Sequence, residues 1–383
     1  MPWNEMTRMS HRARFLVEFS SYLYTMTELC ARYGISRRTG YKWADRYVEG
    51  EVPDLRDRSR RPKSCSHQMS ESVATALVEL RRKHPTWGPL KLRSRLEESH
   101  PEVVWPAPST IGDLLKRQGL VTARGRSRAV SRPPVSPLTQ ACAANEVWTG
   151  DFKGQFRTGD HRLCYPLTVV DAYSRYILGI VGLDSVKEAG TWLVFERLFR
   201  EYGLPSVIRT DNGSPFASIS IGRLSRLSVR WLRLGIRLER IKPGHPEQNG
   251  SHERMHRTLK AETTRPPAGN ALLQQAGFDD FRGVFNTERP HESLGQKPPA
   301  SRYESSCRSY PEQLPEPEYP GHYEVRVVNS KGYMKWHGSE IFVSEALAGE
   351  RIGVEETADG IWSISFCQVL LARFDEEEKK LYG

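Results

Sequence analysis

The sequence lacks the cysteine patterns of disulfide-rich and zinc-finger proteins and the apolar runs of membrane-spanning ones. Its six cysteines include no close pair, and no cysteine–histidine spacing typical of a zinc site is present. No apolar run reaches the roughly 18 residues of a membrane span, and the N-terminus has no apolar signal-peptide segment. We therefore expect a reducing, aqueous compartment, the cytoplasm, and neither a disulfide framework nor a membrane partner.

Acidic residues are scarce in the first part of the chain and abundant at its end. Residues 1–145 carry 25 Lys and Arg against 14 Asp and Glu, whereas residues 311–383 carry 7 against 14. The whole chain has a net charge of +10, which favours a polyanionic partner. Basic side chains that neutralise phosphates release counterions, and this release supplies sequence-independent affinity for nucleic acid.

The 383 residues are too many for one ordinary domain, and proline-rich or arginine-rich stretches divide the chain. We predict a multidomain protein in which all-α units precede an α/β core and a small all-β barrel. The expected segments are a helix-turn-helix domain at 1–62, a second helix-turn-helix-like domain at 68–121, a basic linker at 122–144, the core at 145–305 and the barrel at 320–383.

The first segment has the sequence pattern of a helix-turn-helix. Residues 12–48 predict three short helices, with Gly34 permitting a left-handed turn and Ser36 serving as the N-cap of the last helix. The candidate contacts to a DNA major groove on this last helix are Arg37, Arg38, Tyr41 and Lys42. A helical hairpin with a solvated charged face is the alternative.

Three further helices are predicted at 73–83, at 90–98 and after Ser109, which would cap the third. They form either a second helix-turn-helix or a structural spacer. The following linker either lies along a phosphate backbone or is a solvated tether. Its candidate DNA contacts are Arg124, Arg126 and Arg128.

From residue 146 the pattern predicts an α/β core with a mixed sheet, in the order three strands, helix, strand, helix, strand, helix. Asp151 lies on the first strand, and Asp211 lies just past the fourth. A glutamate at the start of the last helix would complete a cluster of three oxygen donors. Such donors suit Mg²⁺ or Mn²⁺, and two ions together can activate an attacking oxygen and stabilise a leaving one.

At these positions the chain resembles the bacterial insertion-sequence transposases with an integrase-type catalytic core, the DDE group related to retroviral integrases. The resemblance rests on residues 148–154 (WTGDFKG), 167–175 (LTVVDAYSR), 208–214 (IRTDNGS), 243–254 (PGHPEQNGSHER) and 286–294 (NTERPHESL). It implies a ribonuclease-H-like core and a cofactor of two Mg²⁺ or Mn²⁺ ions, with no small-molecule cofactor. It also implies cleavage and joining of double-stranded DNA by a homo-oligomer associated with the nucleoid.

The third carboxylate requires a choice between two glutamates. A separation of 35 residues, common in related enzymes, points from Asp211 to Glu247. The position of the family motif, a few residues past an Asn-Gly pair and inside the helix, points instead to Glu253. Glu253 shares a helical face with Arg257 and Lys260, so a metal ligand and two phosphate-binding cations would lie together. We therefore assign Glu253 and expect Glu247 to cap the helix dipole.

Several other polar residues have weaker assignments. We predict Lys153 and His256 as further DNA contacts, and we interpret Asp171 as structural. Arg289 and His291 either extend a DNA-facing edge or form a packing corner with the proline between them. The zinc-binding module of retroviral integrases is absent, and the acidic charge of the final segment favours protein contacts over DNA binding there.

Two other functions are consistent with parts of the sequence. A DNA-binding regulator derived from such an enzyme would keep the core as a scaffold, but its carboxylate trio should be broken, and this trio is intact. A nuclease acting on RNA–DNA hybrids would share the core fold. It would not explain two helix-turn-helix units before that core.

Overall fold

The computed structural model describes residues 8–48, 55, 57, 69–121, 138–218, 221–242 and 246–382. The chain divides into two compact units, residues 1–68 and residues 69–383. The predicted contacts Arg124, Arg126 and Arg128 lie outside the described residues. None of the described helices is long and apolar enough to cross a membrane.

The first unit contains the three predicted helices, α1 (Arg8–Ser20), α2 (Met26–Tyr33) and α3 (Arg37–Val48). Gly34 ends α2 with a φ of 63°, a left-handed conformation that glycine adopts without steric cost. Ser36 Oγ accepts a hydrogen bond of 3.3 Å from the N–H of Thr39, so Ser36 caps α3 as predicted. The buried core of the unit comprises Phe15, Leu16, Leu29, Cys30 and Trp43.

The second unit begins with three helices, α4 (Glu71–Lys83), α5 (Pro89–Ser99) and α6 (Pro108–Arg117). The prediction that Ser109 caps α6 is wrong, because Ala107 is the N-cap and Pro108 is the first helical residue. Proline suits that position because its φ is already helical and its missing N–H would have no partner there. The shared core of these helices includes Leu77, Trp87, Leu92, Ile111 and Leu115.

The central part of the unit follows the predicted order of strands and helices. Its elements are β1 (Val147–Phe152), β2 (Phe156–Arg157), β3 (Leu163–Asp171), β4 (Ile177–Leu183), α7 (Glu188–Tyr202), β5 (Val207–Thr210), α8 (Arg226–Arg233), β6 (Arg237–Arg240), α9 (Gly250–Thr263) and α10 (Ala271–Thr287). The short strand β2 and the helix α10 are additional to the prediction.

The predicted mixed sheet is confirmed. Strand β3 pairs antiparallel with β1 and β4, whereas β1 pairs parallel with β5 and β5 pairs parallel with β6. The carboxyl ends of β1 and β5 therefore lie side by side at one edge of the sheet. Polar residues at the ends of these two strands are brought close by the topology alone.

Helices cover both faces of this sheet. Trp148 and Leu167 pack with Phe195 of α7 on one face. On the other face Val170 packs with Met255 of α9 and with other buried side chains of α9 and α10. Because successive side chains of a strand point to opposite faces, each strand sends alternate residues toward α7 and toward α9.

The last part of the chain is all β, as predicted. Its strands are β7 (Glu324–Val327), β8 (Tyr333–Trp336), β9 (Ser339–Phe342), β10 (Arg351–Ala358), β11 (Ile361–Phe366), β12 (Val369–Asp375) and β13 (Lys380–Tyr382). They form a five-stranded antiparallel sheet in the order β13-β12-β11-β10-β7 and a hairpin of β8 and β9. Both enclose one core that contains Trp336, Ile352 and Phe366. Closure of these strands into a barrel stays a prediction.

Because α7 packs against the sheet, we predict that substitutions of two of its apolar residues differ greatly in their effect on stability. Phe195 is 0% exposed, whereas Leu193 on the same helix is 65% exposed. We expect Phe195→Ala to lower the free energy of unfolding by about 3–5 kcal/mol, since it leaves a cavity beneath β1. Leu193→Ala should change it by less than about 0.5 kcal/mol. Denaturant unfolding of both variants tests this packing, and equal losses would contradict it.

Candidate active site

Asp151 lies near the end of β1, on the face of the sheet that α9 covers. The preceding residue, Gly150, faces Phe195 of α7 so closely that an added Cβ would lie 3.1 Å from the ring. The alternation of the strand therefore turns Asp151 toward α9. Thr168, its cross-strand neighbour on β3, donates a hydrogen bond of 3.0 Å from Oγ1 to the carbonyl oxygen of Asp151. The side chain of Asp151 keeps 23% of its surface exposed.

Asp211 follows β5, the parallel neighbour of β1. The N–H of Gly213 donates to Asp211 Oδ1 at 3.0 Å, so the turn after the strand orients the carboxylate. Asn212 Nδ2 donates to the carbonyl oxygen of Ile241 at 2.6 Å, which ties this turn to the chain after β6. The two predicted aspartates thus occupy the same edge of the sheet, as strand placement requires.

Glu253 lies in the first turn of α9, where its side chain is exposed. Its neighbour His252 is buried against the sheet, so this turn presents one side chain to the core and the next to solvent. Glu247 belongs to the short 3₁₀ turn Pro246–Asn249 before the helix, and its side chain lies outside the described part of the structure. The choice of Glu253 over Glu247 therefore stays a prediction.

The charges of Asp211 and Glu253 act on Asp151. Burial is the largest cause that raises the pKa of Asp151 to about 7, and the negative charges of Asp211 and Glu253 raise it as well. A hydrogen bond from the N–H of Phe152 and the charge of Lys153 oppose this rise. Asp211 follows the strand beside β1, and Glu253 lies in the first turn of α9, the helix over this face of the sheet. The cluster carries excess negative charge that a cation would compensate.

A buried network of histidines and threonines lies behind Asp151. His252 Nδ1 is 2.9 Å from Thr149 Oγ1, and His252 Nε2 is 2.6 Å from Thr168 Oγ1. His256 Nε2 contacts the same Thr168 hydroxyl at 2.7 Å, and His256 Nδ1 lies 3.7 Å from Asp151 Oδ2. Burial lowers the pKa of His252 to about 3 and that of His256 to about 2, so both imidazoles are neutral. The network joins α9 to β1 and β3 at Asp151.

These two histidines have the spacing of a known metal motif. Residues 252–256 read His-Glu-Arg-Met-His, which on zinc hydrolase helices places two imidazoles on one ion. Among the described residues, the donors that lie within 4.8 Å of one another are those of Asp151, His252 and His256. Three of the four imidazole nitrogens contact threonine hydroxyls, which argues against a zinc site. The oxygen atoms of the three predicted carboxylates do not all lie within this distance of one another.

The network corrects one predicted residue and adds others. The prediction that His256 contacts DNA is wrong, because its side chain is only 5% exposed and is hydrogen-bonded to Thr168. His252 was missed, although the pair of histidines four residues apart was visible in the sequence. Thr149 and Thr168 gave no signal there, because threonine is common in strands and their role depends on which helix covers them.

The other predicted DNA contacts are accessible where they are described. On α9, Arg257 and Lys260 are exposed, and Lys153 after β1 is half-buried. The exposed residues of α3 include all four of its candidates, Arg37, Arg38, Tyr41 and Lys42. Their roles in DNA binding stay predictions.

Asp171 has a structural environment, in agreement with its interpretation. Its side chain is fully buried at the end of β3. Oδ1 accepts hydrogen bonds from the N–H and the hydroxyl of Ser174 at 2.8 and 2.6 Å, and Oδ2 accepts one from the N–H of Asn145 at 2.9 Å. These bonds hold the turn after β3 and the chain before β1.

Comparison with protein families finds matches over several separate parts of the chain. Residues 141–246 and 234–299 each match a family described as integrase core domain. Residues 11–63 match a helix-turn-helix domain, and residues 39–115 match a homeodomain-like domain. Residues 323–381 match the C-terminal domain of the IS481 family of transposases. The resemblance to insertion-sequence transposases with an integrase-type core is therefore confirmed.

Individual relatives agree with this class. The chain is 27% identical over 261 residues to an uncharacterized 39.2 kDa protein of insertion element IS476 from Xanthomonas euvesicatoria. The aligned residues make up 67% of this chain and 71% of that protein. It is 27% identical over 233 residues to an uncharacterized 31.7 kDa protein of insertion element IS407 from Burkholderia multivorans, covering 60% and 80% of the two chains.

Solved structures with detectable similarity include two viral proteins. One belongs to a simian T-cell lymphotropic virus intasome bound to a PP2A regulatory subunit, with 16% identity, a TM-score of 0.37, and coverage of 77% of this chain and 97% of that one. The other is the HTLV-2 integrase catalytic core domain with magnesium, with 16% identity, a TM-score of 0.34, and coverage of 43% and 100%.

The shared hydroxyl of Thr168 gives a stability prediction for the network. Thr168→Val removes the group that contacts His252 and His256 and leaves two buried ring nitrogens without that partner. We expect a loss of about 1–3 kcal/mol in the free energy of unfolding, measured by urea titration. The control is Thr287→Val, because the exposed Thr287 hydroxyl donates only to the carbonyl oxygen of Gly283 in its own helix. Equal effects of the two substitutions would show that the network contributes nothing.

Proposed function

We propose that this chain is a DNA transposase that uses Asp151, Asp211 and Glu253 to cleave and join DNA. The observation that carries the proposal is the placement of Asp151 and Asp211 at the adjacent carboxyl ends of β1 and β5, with Glu253 in the first turn of the helix that covers this face. The integrase core matches and the two matches to DNA-binding helical families support it. In this proposal residues 145–305 form a ribonuclease-H-like catalytic core, and the C-terminal strands form a small barrel.

The donor set fits a hard divalent cation. Three carboxylates supply oxygen ligands, and the raised pKa of Asp151 reflects negative charge that a cation would compensate. Asp151, Asp211 and Glu253 would hold Mg²⁺ or Mn²⁺, and we propose two ions. When bound, they would polarise the phosphodiester and stabilise the leaving oxygen. The hydrogen-bonded imidazoles of His252 and His256 stay outside this ligand set and hold α9 against the strand that carries Asp151.

The reaction consists of two phosphoryl transfers. Water attacks a phosphodiester at the element end, and the P–O bond to the 3′ oxygen breaks to leave a free 3′ hydroxyl. That hydroxyl then attacks a target phosphodiester, forming a new P–O bond as the target strand's own 3′ oxygen leaves. Arg257 and Lys260, exposed on the helix of Glu253, would bind and orient the DNA phosphates.

The proposed partners are double-stranded element ends and target DNA. Helix α3 would enter a major groove with Arg37, Arg38, Tyr41 and Lys42, and Lys153 would approach a phosphate near the carboxylates. Joining two ends to one target requires two active sites, so we propose that the chain assembles as a homo-oligomer on DNA.

Cleavage and joining of DNA test the three carboxylates. The substrate is a duplex carrying the inverted repeat that flanks the gene, incubated with Mg²⁺ and a target plasmid. We expect Asp151→Asn, Asp211→Asn and Glu253→Gln each to lower activity by more than about 100-fold, since removing a group that merely supports a metal ligand already costs about 10–100-fold. The readout is the yield of nicked and joined strands on a denaturing gel.

Two matched variants make this test specific. Asp184→Asn alters an exposed aspartate just past β4 and should leave strand joining unchanged. Glu247→Gln should also retain activity if Glu253 is the third carboxylate. Full activity of Asp211→Asn would contradict the proposal. Salt-dependent binding of the repeat without any metal-dependent turnover would favour a regulator instead.

The proposed groove-reading helix gives a separate prediction. Replacing Arg37 and Arg38 by alanine should weaken binding of the end duplex and lower the slope of log K against log salt by about 0.9 for each phosphate that is no longer neutralised. Arg32→Ala is the control, because Arg32 is exposed on α2 and lies 3.5 Å from Glu18. Fluorescence anisotropy across a salt series measures both slopes. An unchanged slope in the double variant would remove these two arginines from the DNA interface.

A further inference from the structure

A cavity of about 590 Å³ lies beside α9, and the three carboxylates are not among its lining residues. Its walls come from α5, from the turn after β3, from α9 and from the segment after α10. We call it the basic cavity, because its lining includes the five cationic residues Lys91, Arg175, Arg254, Arg257 and Arg289. The one acidic residue in that lining is Glu292.

Three of the five cations are not neutralised by an ion pair with a described residue. Among the described residues, Arg175, Arg254 and Arg257 form no side-chain hydrogen bond or ion pair, whereas Arg289 pairs with Glu262 at 3.2 Å. Arg175 is half-buried, and burial followed by the positive charge of Arg254 lowers its pKa, although the negative charge of Asp171 opposes this fall. Holding like charges around one partly enclosed space is unfavourable unless an anion enters it.

The imidazole of His291 also belongs to the lining of the basic cavity. His291 Nε2 is buried and has no hydrogen-bond partner among the described residues. Burial and then the charges of Lys91, Arg289 and Arg175 lower the pKa of His291 to about 3, so its imidazole is neutral. An unpaired buried polar atom costs about 1–3 kcal/mol. A ligand oxygen could accept a hydrogen bond from this ring.

The wall around His291 is held by specific bonds. Lys91 Nζ on α5 donates to the carbonyl oxygen of Pro290. Arg289 Nη1 lies 3.2 Å from both Thr86 Oγ1 and Glu262 Oε1, which links the helices α4–α6 to α9 through this segment. The cavity is therefore built from anchored groups as well as from exposed side chains.

We propose that the basic cavity binds a phosphate of the DNA backbone, at a site separate from the carboxylates. The proposal rests on the proposed function, in that DNA is the substrate. Arg254 and Arg257 follow Glu253 on α9, so the cavity shares a helix with the third proposed carboxylate. The homeodomain-like match ends within α6, in the helical unit that supplies Lys91. A duplex bound by both elements would place its backbone at this junction.

The salt dependence of DNA binding tests the site. In the full chain, Arg175→Ala with Arg254→Ala should lower the slope of log K against log salt by about 0.9 or more, the value for one phosphate that is no longer neutralised. The matched control removes two cations from α7, Arg197→Ala with Arg200→Ala, and should keep the wild-type slope. An unchanged slope in the cavity variant, or an equal fall in the control, would overturn the proposal.

A second measurement uses the unaltered chain and does not depend on the folding of a variant. Phenylglyoxal modifies accessible guanidinium groups, and mass spectrometry reports the extent at each arginine. We expect the end duplex to reduce modification of Arg254 several-fold and to leave Arg197 unaffected. Inorganic phosphate at the same ionic strength should protect little. Equal protection by phosphate would make this a free-anion site, and no protection by DNA would exclude the cavity from binding; either result would overturn the proposal.

The two proposals fail in distinguishable ways. Asp211→Asn should abolish strand cleavage while it keeps the wild-type salt slope and the protection of Arg254. If the wild-type chain binds the duplex with that protection but never cleaves it, the catalytic proposal fails and the cavity proposal stands. If the chain cleaves DNA with Arg254 unprotected, the cavity proposal alone fails.

Discussion

The carboxylate of Asp151 is held where it is mostly removed from water and where two other acids act on it. Burial and like charge both favour its protonated form, which explains a pKa of about 7 in place of an ordinary aspartate value. The nearest imidazoles do not offset this effect because they are neutral, and the charge of Lys153 opposes the rise only in part. A site of this kind favours a bound cation, because the cation relieves the repulsion among the acids. The proposed catalysis depends on that unbalanced charge.

Helix α9 connects this constraint to the rest of the unit. Its buried face inserts His252 and His256 between the threonines of β1 and β3, which fixes how the helix lies on the sheet. The same docking leaves Glu253 exposed in the first turn of the helix and places Arg254 in the lining of the basic cavity. One packing interface thus determines the position of the proposed third metal ligand and of the proposed phosphate site. A shift of α9 would disturb both.

Periodicity and turn residues predicted most elements, because local chemistry determines where they begin and end. Gly34 and Ser36 define the turn of the first helical unit, and the order of strands and helices from residue 146 predicts the mixed sheet. Helix α10 was not predicted, although Asn270 caps it and Phe278, Phe281 and Phe285 recur at helical spacing on its buried face. The burial of His256 could not be read from the sequence. On the helix, His256 lies between the exposed face that carries Glu253 and the buried face. Only the packing of α9 onto the sheet determines that the side chain of His256 is buried.

Manganese binding to the full chain tests the central claim most directly, because it reports on the carboxylate cluster without DNA or turnover. Electron paramagnetic resonance of free Mn²⁺ would give the dissociation constant for the wild type, for Asp151→Asn, for Glu253→Gln and for the matched control Glu247→Gln. We predict saturable binding by the wild type and the control, and at least about 10-fold weaker binding by the other two. Binding by Asp151→Asn as tight as that of the wild type would contradict the account.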